Sequence, residues 1–252
     1  MTEEELDELA AELARRASRA QKSRNDSTPD ARETICGRCG RPQPRTLVIG
    51  NPYQKMCECH QDVARAWRAI ERVDPAGEMT FASLRDPDPT VKNAAAKLQA
   101  IVSGQRSRGV LMFGLPGRGK THLSIAFARS MLEAGKLCGV YNLAGLISRI
   151  QSTYGYEDAE ESKASILDEV LRHDAIVLDD IGKEHRSQDT ETIVYQLVDA
   201  LYNARKPLIA SSNLPGKEFA ERYDAAVLSR LKGMCERLVI RGEDRREAAW
   251  EW

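Results

Sequence analysis

The stretch Gly109–Thr121, GVLMFGLPGRGKT, constrains this chain more than any other. Its first five residues, Gly109–Phe113, form an apolar run of strand length. Gly114, Gly117 and Gly119 then permit a tight loop whose backbone N–H groups can close on an anion. The spacing Gly114-x4-Gly119-Lys120-Thr121 matches a phosphate-binding loop, in the strand–loop–helix context that such a loop needs. The cradle would comprise Gly114, Leu115, Pro116, Gly117, Arg118, Gly119, Lys120, Thr121 and His122. Lys120 is expected to reach the outer phosphates and Thr121 to hold magnesium, with the helix N-terminus adding its positive dipole end. A nucleoside triphosphate site follows.

Size and charge narrow the rest. The 252 residues suffice for one α/β domain and a small addition. A formal net charge of −1 gives no overall attraction to nucleic acid, so any such contact must come from a local patch. No apolar run approaches bilayer length and the N-terminus lacks a signal-peptide core, so no membrane association and a cytoplasmic location are expected. In that compartment six cysteines are more readily metal ligands or core thiols than disulfides.

Residues 3–20 place Leu6, Leu9, Ala10 and Leu13 at helical spacing. This stripe suits a helix packed on its own chain, a solvated helix, or one for a partner's groove. Next, Cys36-x2-Cys39 and Cys57-x-Cys59 supply four thiolates, the set that tetrahedral zinc takes, in a segment too small for its own core. His60 is a substitute ligand, while the isolated Cys138 and Cys235 read as core residues. A helix is expected over Asp62–Val73, anchored by Trp67 and Ile70, and a linker where Asp86-Pro87 and Asp88-Pro89 recur. These signals divide the chain into an N-terminal segment 1–34, a zinc-binding domain 35–75, a linker 76–90 and an α/β domain 91–252.

Past the loop, apolar strands alternate with helices: strands at Leu137–Asn142, Asp174–Asp180, Pro207–Ser212 and Glu236–Arg241 join Gly109–Phe113. Five such strands predict a parallel sheet covered on both faces. The strand DAIVLDD ends in Asp179 and Asp180, at the edge where open α/β sheets bind ligands. Asp179 suits a magnesium-holding role and Asp180 the polarisation of an attacking water. The next strand runs into Asn213, whose amide can lie between that water and the outermost phosphate.

GLPGRGKTHL, AIVLDDIG, IASSNL and VIRGEDRRE together resemble the AAA+ helicase loaders of the DnaC/DnaI type and the related IstB transposition ATPases, over roughly residues 80–248. The resemblance implies an AAA+ P-loop ATPase fold, ATP as nucleotide, and Lys120, Asp179, Asp180 and Asn213 in the roles above. It puts Arg230 at the family's arginine finger, reaching a neighbouring subunit's nucleotide, and so implies self-association. Residues near 144–172 would form the helical insertion that contacts single-stranded DNA, with Arg149, Tyr154 and Lys163 as candidates. The zinc segment resembles that of DnaI-type and phage loaders and would grip a hexameric replicative helicase. An IstB-like ATPase assembling on duplex DNA is the alternative, and a nucleotide switch without DNA a third. Asp180 stands where most AAA+ enzymes carry glutamate, which implies slow hydrolysis. No helical lid is expected after the last strand, so a lid arginine is not assigned to Arg237 or Arg241.

Overall fold

The computed structural model describes residues 58–84, 88–155 and 161–244 and the backbone of two short strands, with side chains from Asp62 onward. The short strands, β1 (Thr34–Ile35) and β2 (Pro42–Gln43), pair antiparallel. Next come α1 (Glu58–Val73), α2 (Pro89–Val102), β3 (Gly109–Phe113), α3 (Lys120–Glu133) and β4 (Cys138–Asn142). They are followed by α4 (Leu143–Gln151), α5 (Lys163–Arg172), β5 (Ala175–Asp179), α6 (Gln188–Asn203) and β6 (Leu208–Ser212). The described chain closes with α7 (Gly216–Arg222), α8 (Ala225–Met234) and β7 (Cys235–Val239).

The five long strands form one parallel sheet in the order β4-β5-β6-β3-β7. Strand side chains alternate between faces, and both faces are apolar here. Val110, Met112, Val177 and Ile209 enter the cluster beneath α1, α2 and α3. Leu111, Phe113, Ile176, Leu178 and Ala210 enter the opposite cluster, under α4, α5, α6 and α8. The expected parallel sheet is therefore a three-layer α/β/α domain.

Helix starts follow local chemistry. Asp88 caps α2 by accepting from the Thr90 N–H at 2.8 Å, with Pro89 in the first turn. Ser162 and Ser165 form a reciprocal capping box on α5, and Asp224 caps α8. Three of the expected strands begin one residue later, at Cys138, Ala175 and Leu208, whereas β3 begins at Gly109 as expected and β7 one residue earlier, at Cys235.

Helix α1 lies on the N-terminal side of the linker expected at 76–90, yet it packs on the sheet. Ala66 and Ile70 are buried in one cluster with Leu98, Leu123 and Val177. The Arg129 guanidinium of α3 lies 5.6 Å from the centre of the Trp67 ring and donates to Asp74 Oδ2 at 2.8 Å. The N–H groups of Glu78 and Met79 donate to the same carboxylate at 2.9 Å each. Burial alone would raise the Asp74 carboxyl, but these hydrogen bonds and the Arg129 charge outweigh it and hold it below the ordinary aspartate value. Asp74 thus clamps the end of α1 to the helix that follows the glycine-rich loop.

Candidate functional site

The glycine-rich loop joins β3 to α3 at the C-terminal edge of the sheet. Gly119 caps α3 at φ +86°, a left-handed conformation that strains any side chain. A Cβ at Gly114 would come within 2.5 Å of the Ile240 carbonyl oxygen, so only glycine lets the loop leave β3 beside that neighbour. Lys120, 5% exposed, donates from Nζ to the carbonyls of Gly114 at 2.6 Å and Leu115 at 2.8 Å. Burial lowers its pKa, against the raising pull of Asp180 and Asp179.

Asp179 ends β5 and accepts from the Thr121 hydroxyl at 2.9 Å through Oδ2 and from the Ser211 hydroxyl through Oδ1. Asp180 follows at φ 58°, a region that aspartate tolerates better than most residues. Its N–H donates to Ser211 Oγ at 3.1 Å, and the next N–H, of Ile181, donates to the Ser211 carbonyl at 2.8 Å. The turn so fixed aims the Asp180 carboxylate at Asn213, whose amide donates to Oδ1 at 2.8 Å. Lys183 Nζ donates to the other oxygen at 2.9 Å.

Residues from three strand ends therefore surround one cavity of about 470 Å³. Lys120, Thr121, Asp180, Lys183 and Asn213 line its polar side, and Val73 and Met79 an apolar wall. His122 is held at the rim, its Nε2 2.8 Å from the Thr80 carbonyl oxygen. The donor set fits a nucleotide and its metal: backbone N–H groups and an ammonium toward phosphate, a hydroxyl and a carboxylate oxygen together toward magnesium. Sequence reasoning missed Lys183, Ser211, Val73 and Met79. Only Lys183, three residues past an acid pair on a loop, carried any local signal.

A family model described as IstB-like ATP binding protein matches residues 76–249. The chain belongs to the DnaC/IstB-like AAA+ ATP-binding proteins. It is 26% identical over 119 residues to the replicative helicase loader DnaC of Escherichia coli K12, covering 47% of this chain and 48% of that protein. With the insertion sequence ATP-binding protein y4iQ/y4nD/y4sD of Sinorhizobium fredii it shares 28% identity over 169 residues, covering 64% of this chain and 54% of that protein. The chain thus spans about half the length of these curated relatives. A crystal structure of the DnaC helicase loader superposes with a TM-score of 0.57 at 24% identity, covering 70% of this chain and 99% of that one. The DnaI structure gives 0.56 at 17%, covering 64% and 90%. At such identities the likeness is one of fold.

In this DnaC/IstB-like chain several residues named from sequence lie away from the cavity. Arg230, on α8, donates to Asp199 Oδ1 at 2.6 Å and to the Tyr195 hydroxyl at 3.1 Å, with its guanidinium 4.9 Å from the Tyr195 ring centre. It lines no part of its own chain's cavity. Arg149 is bound by two carboxylates, Glu161 and Glu169, the latter at 2.6 Å. Those hydrogen bonds raise its pKa further, so its charge is spent within the chain. Tyr154 is exposed, with its hydroxyl donating to Asp189 at 3.1 Å, and Lys163 opens α5. Arg237 stacks over Phe113, the backbone N–H of Arg241 donates to the Thr90 hydroxyl, and neither residue lines the cavity.

Cys36, Cys39 and Cys57 lie outside the described residues, and of Cys59 and His60 only the backbone is described, in the first turn of α1. Among the described residues no His, Cys, Asp or Glu cluster suits a metal ion, and no helix is long and apolar enough to cross a membrane. Cys138 and Cys235 are buried thiols; burial pushes Cys235 up to about 12 and Cys138 higher still. The N-terminal helix expected over residues 3–20 also lies outside the described residues.

Proposed function

We propose that this protein is an ATPase that loads a hexameric replicative DNA helicase onto single-stranded DNA at replication initiation. What carries the ATPase half is the convergence of Lys120, Thr121, Asp180 and Asn213 on one cavity at the C-terminal edge of the sheet, with Asp179 bonded to Thr121 beside it. Thr121 and Asp179 would hold magnesium between the hydroxyl and the carboxylate that now bond each other. Bound magnesium and nucleotide would supply the electrophilic phosphoryl group. Asp180 would take the proton of the attacking water, Asn213 would hold that water and an outer phosphate oxygen, and Lys120 would neutralise charge on the transferring group. Arg230 would add a second cation from a neighbouring subunit, making turnover depend on assembly.

The loader half is supported by the likeness to DnaC, which spans 99% of that solved chain, and by the cysteine segment ahead of the ATPase domain. We assign zinc to Cys36, Cys39, Cys57 and Cys59. The paired strands β1 and β2 bracket the first two, with Ile35 opposite Pro42, which suits a short metal-closed hairpin. The second reading is an IstB-like transposition ATPase that assembles on duplex DNA, favoured by the Sinorhizobium relative's longer match. Pull-down with the full chain decides between them: a loader retains its replicative helicase and binds single-stranded DNA with ATP. Retention of a transposase and preference for duplex DNA would instead establish the transposition role. Elemental analysis should find one zinc per chain.

A further inference from the structure

A second cavity, of about 670 Å³, opens between α1 and the β4 edge of the sheet. One wall is the α1 face carrying Arg65, Arg68 and Arg72, which at 1.5 Å per residue extends about 10 Å along the helix. The opposite wall holds Tyr141, Glu161 and Glu169, with Arg149 bound between the two carboxylates. Arg68 and Arg72 are exposed and make no hydrogen bond or ion pair among the described residues. Arg65 donates to Asp62 at 3.2 Å on its own helix, and its charge also helps to hold the Glu161 and Glu169 carboxyls across the groove below their ordinary values. Guanidinium groups are the side chains best matched to phosphate oxygens, and three on one face of a helix supply them in series.

We propose that this groove binds the backbone of single-stranded nucleic acid, with phosphates on Arg65, Arg68 and Arg72 and bases turned toward the Tyr141–Glu169 wall. The inference rests on the DNA-binding reading above and gives it a surface. The asymmetry of the walls selects the ligand. A single strand has one anionic edge and one base edge, on which every base, thymine included, carries at least one N–H that a carboxylate can accept. An acidic polypeptide would bring charge to both walls, and Glu161 and Glu169 would repel it. The near-neutral chain requires such a local patch, and Arg149, tied in ion pairs, cannot provide it.

The test uses the full chain with ATP and magnesium, a fluorescein-labelled oligothymidylate, and anisotropy titrations over a range of salt. The variants are Arg65→Gln/Arg68→Gln/Arg72→Gln and, as one that breaks no described contact, Arg68→Gln/Arg72→Gln. The triple variant should bind at least about tenfold more weakly, with the salt slope shallower by about 2 for three lost contacts, and the double by about 1.4. Binding of a fluorescent ATP analogue should be unchanged in both, which shows that they fold. Wild-type affinity and slope in both variants would overturn the groove while leaving DNA binding intact. A wild-type chain that does not bind the oligonucleotide would overturn the reading on which the groove rests. Equal competition by polyglutamate at matched charge would overturn the nucleic-acid assignment.

Discussion

Helix α1 separates two cavities built in opposite ways. The nucleotide cavity is formed largely by contiguous motifs, and its polar groups already bond one another: Lys120 to the loop carbonyls, Thr121 to Asp179, Asn213 to Asp180. The arginine groove joins α1 to elements roughly seventy to a hundred residues away, and two of its three key cations, Arg68 and Arg72, bond nothing among the described residues. The first cavity is preorganised for a ligand of fixed shape. The second offers charge without fixed partners, which suits a ligand bound by its repeating backbone. The helix itself links them, since Arg72 lines the groove and the next residue, Val73, lines the nucleotide cavity.

The sharpest way to separate the two is Lys120→Ala. Lys120 is buried, and its ammonium donates to two carbonyls of the glycine-rich loop, those of Gly114 and Leu115. Losing a charge-assisted hydrogen bond to phosphate costs about 1.5–3 kcal/mol, so affinity for ATP should fall roughly a hundredfold. Calorimetric titration with ATP and magnesium measures this. Oligonucleotide binding without nucleotide should stay at the wild-type level; a parallel loss would mean that the two cavities are one site.

The next test weakens the hinge between them. Asp74→Asn removes the charge that pairs with Arg129 and accepts from two backbone N–H groups while leaving the shape. With Asp74 buried and Arg129 mostly so, and with an acceptor oxygen kept by asparagine, the loss should be about 2 kcal/mol, read from urea unfolding. The pH dependence has a definite sign. The folded-state pKa of Asp74 lies below its ordinary 3.8, so its stabilisation is complete above that value and fades as pH falls through the folded one. The variant should therefore lose less stability than wild type between neutral and acid pH. Because Asp74 positions Met79 beside Val73, ATP affinity should also drop a few-fold; unchanged affinity would show that the apolar wall does not touch nucleotide.

The contrast also explains what could be read from sequence. The strand–loop–helix stretch was legible because its chemistry is local: each glycine, Lys120 and Thr121 does its work within thirteen consecutive residues. Asp179, Asp180 and Asn213 were legible as the polar ends of apolar strands, since a parallel sheet brings such ends together. Ser211 was not, because its bonds to Asp179 and Asp180 depend on β5–β6 register. The position of α1 was half legible. Trp67 and Ile70 marked an apolar face, but the Asp-Pro punctuation after it read as a boundary, whereas Asp74 is a clamp. Arginines were the least legible of all. Arg149, singled out for DNA, is neutralised by Glu161 and Glu169, whereas Arg68 and Arg72, singled out for nothing, are unpaired among the described residues.

Arg230 falls between those cases, and the smallest predicted effect concerns it. It is paired like Arg149, but with one carboxylate at the surface rather than two, and a stacked tyrosine in place of the second. A single, half-exposed ion pair at the surface is weak, so Asp199 can position the guanidinium without trapping it. If Arg230 serves a neighbour's nucleotide, it must leave Asp199 to do so, and the pair sets a modest barrier to assembly-dependent turnover. Asp199→Asn should then raise ATP hydrolysis a few-fold at high protein concentration, the scale of one surface ion pair, and leave it unchanged at high dilution. Arg230→Ala should abolish that concentration dependence in both backgrounds. Steady-state rates across a dilution series of the four proteins measure it. A rate per subunit that is independent of concentration in wild type and Asp199→Asn alike would confine Arg230 to its salt bridge, and place it with Arg149 among the arginines whose charge is used within the chain.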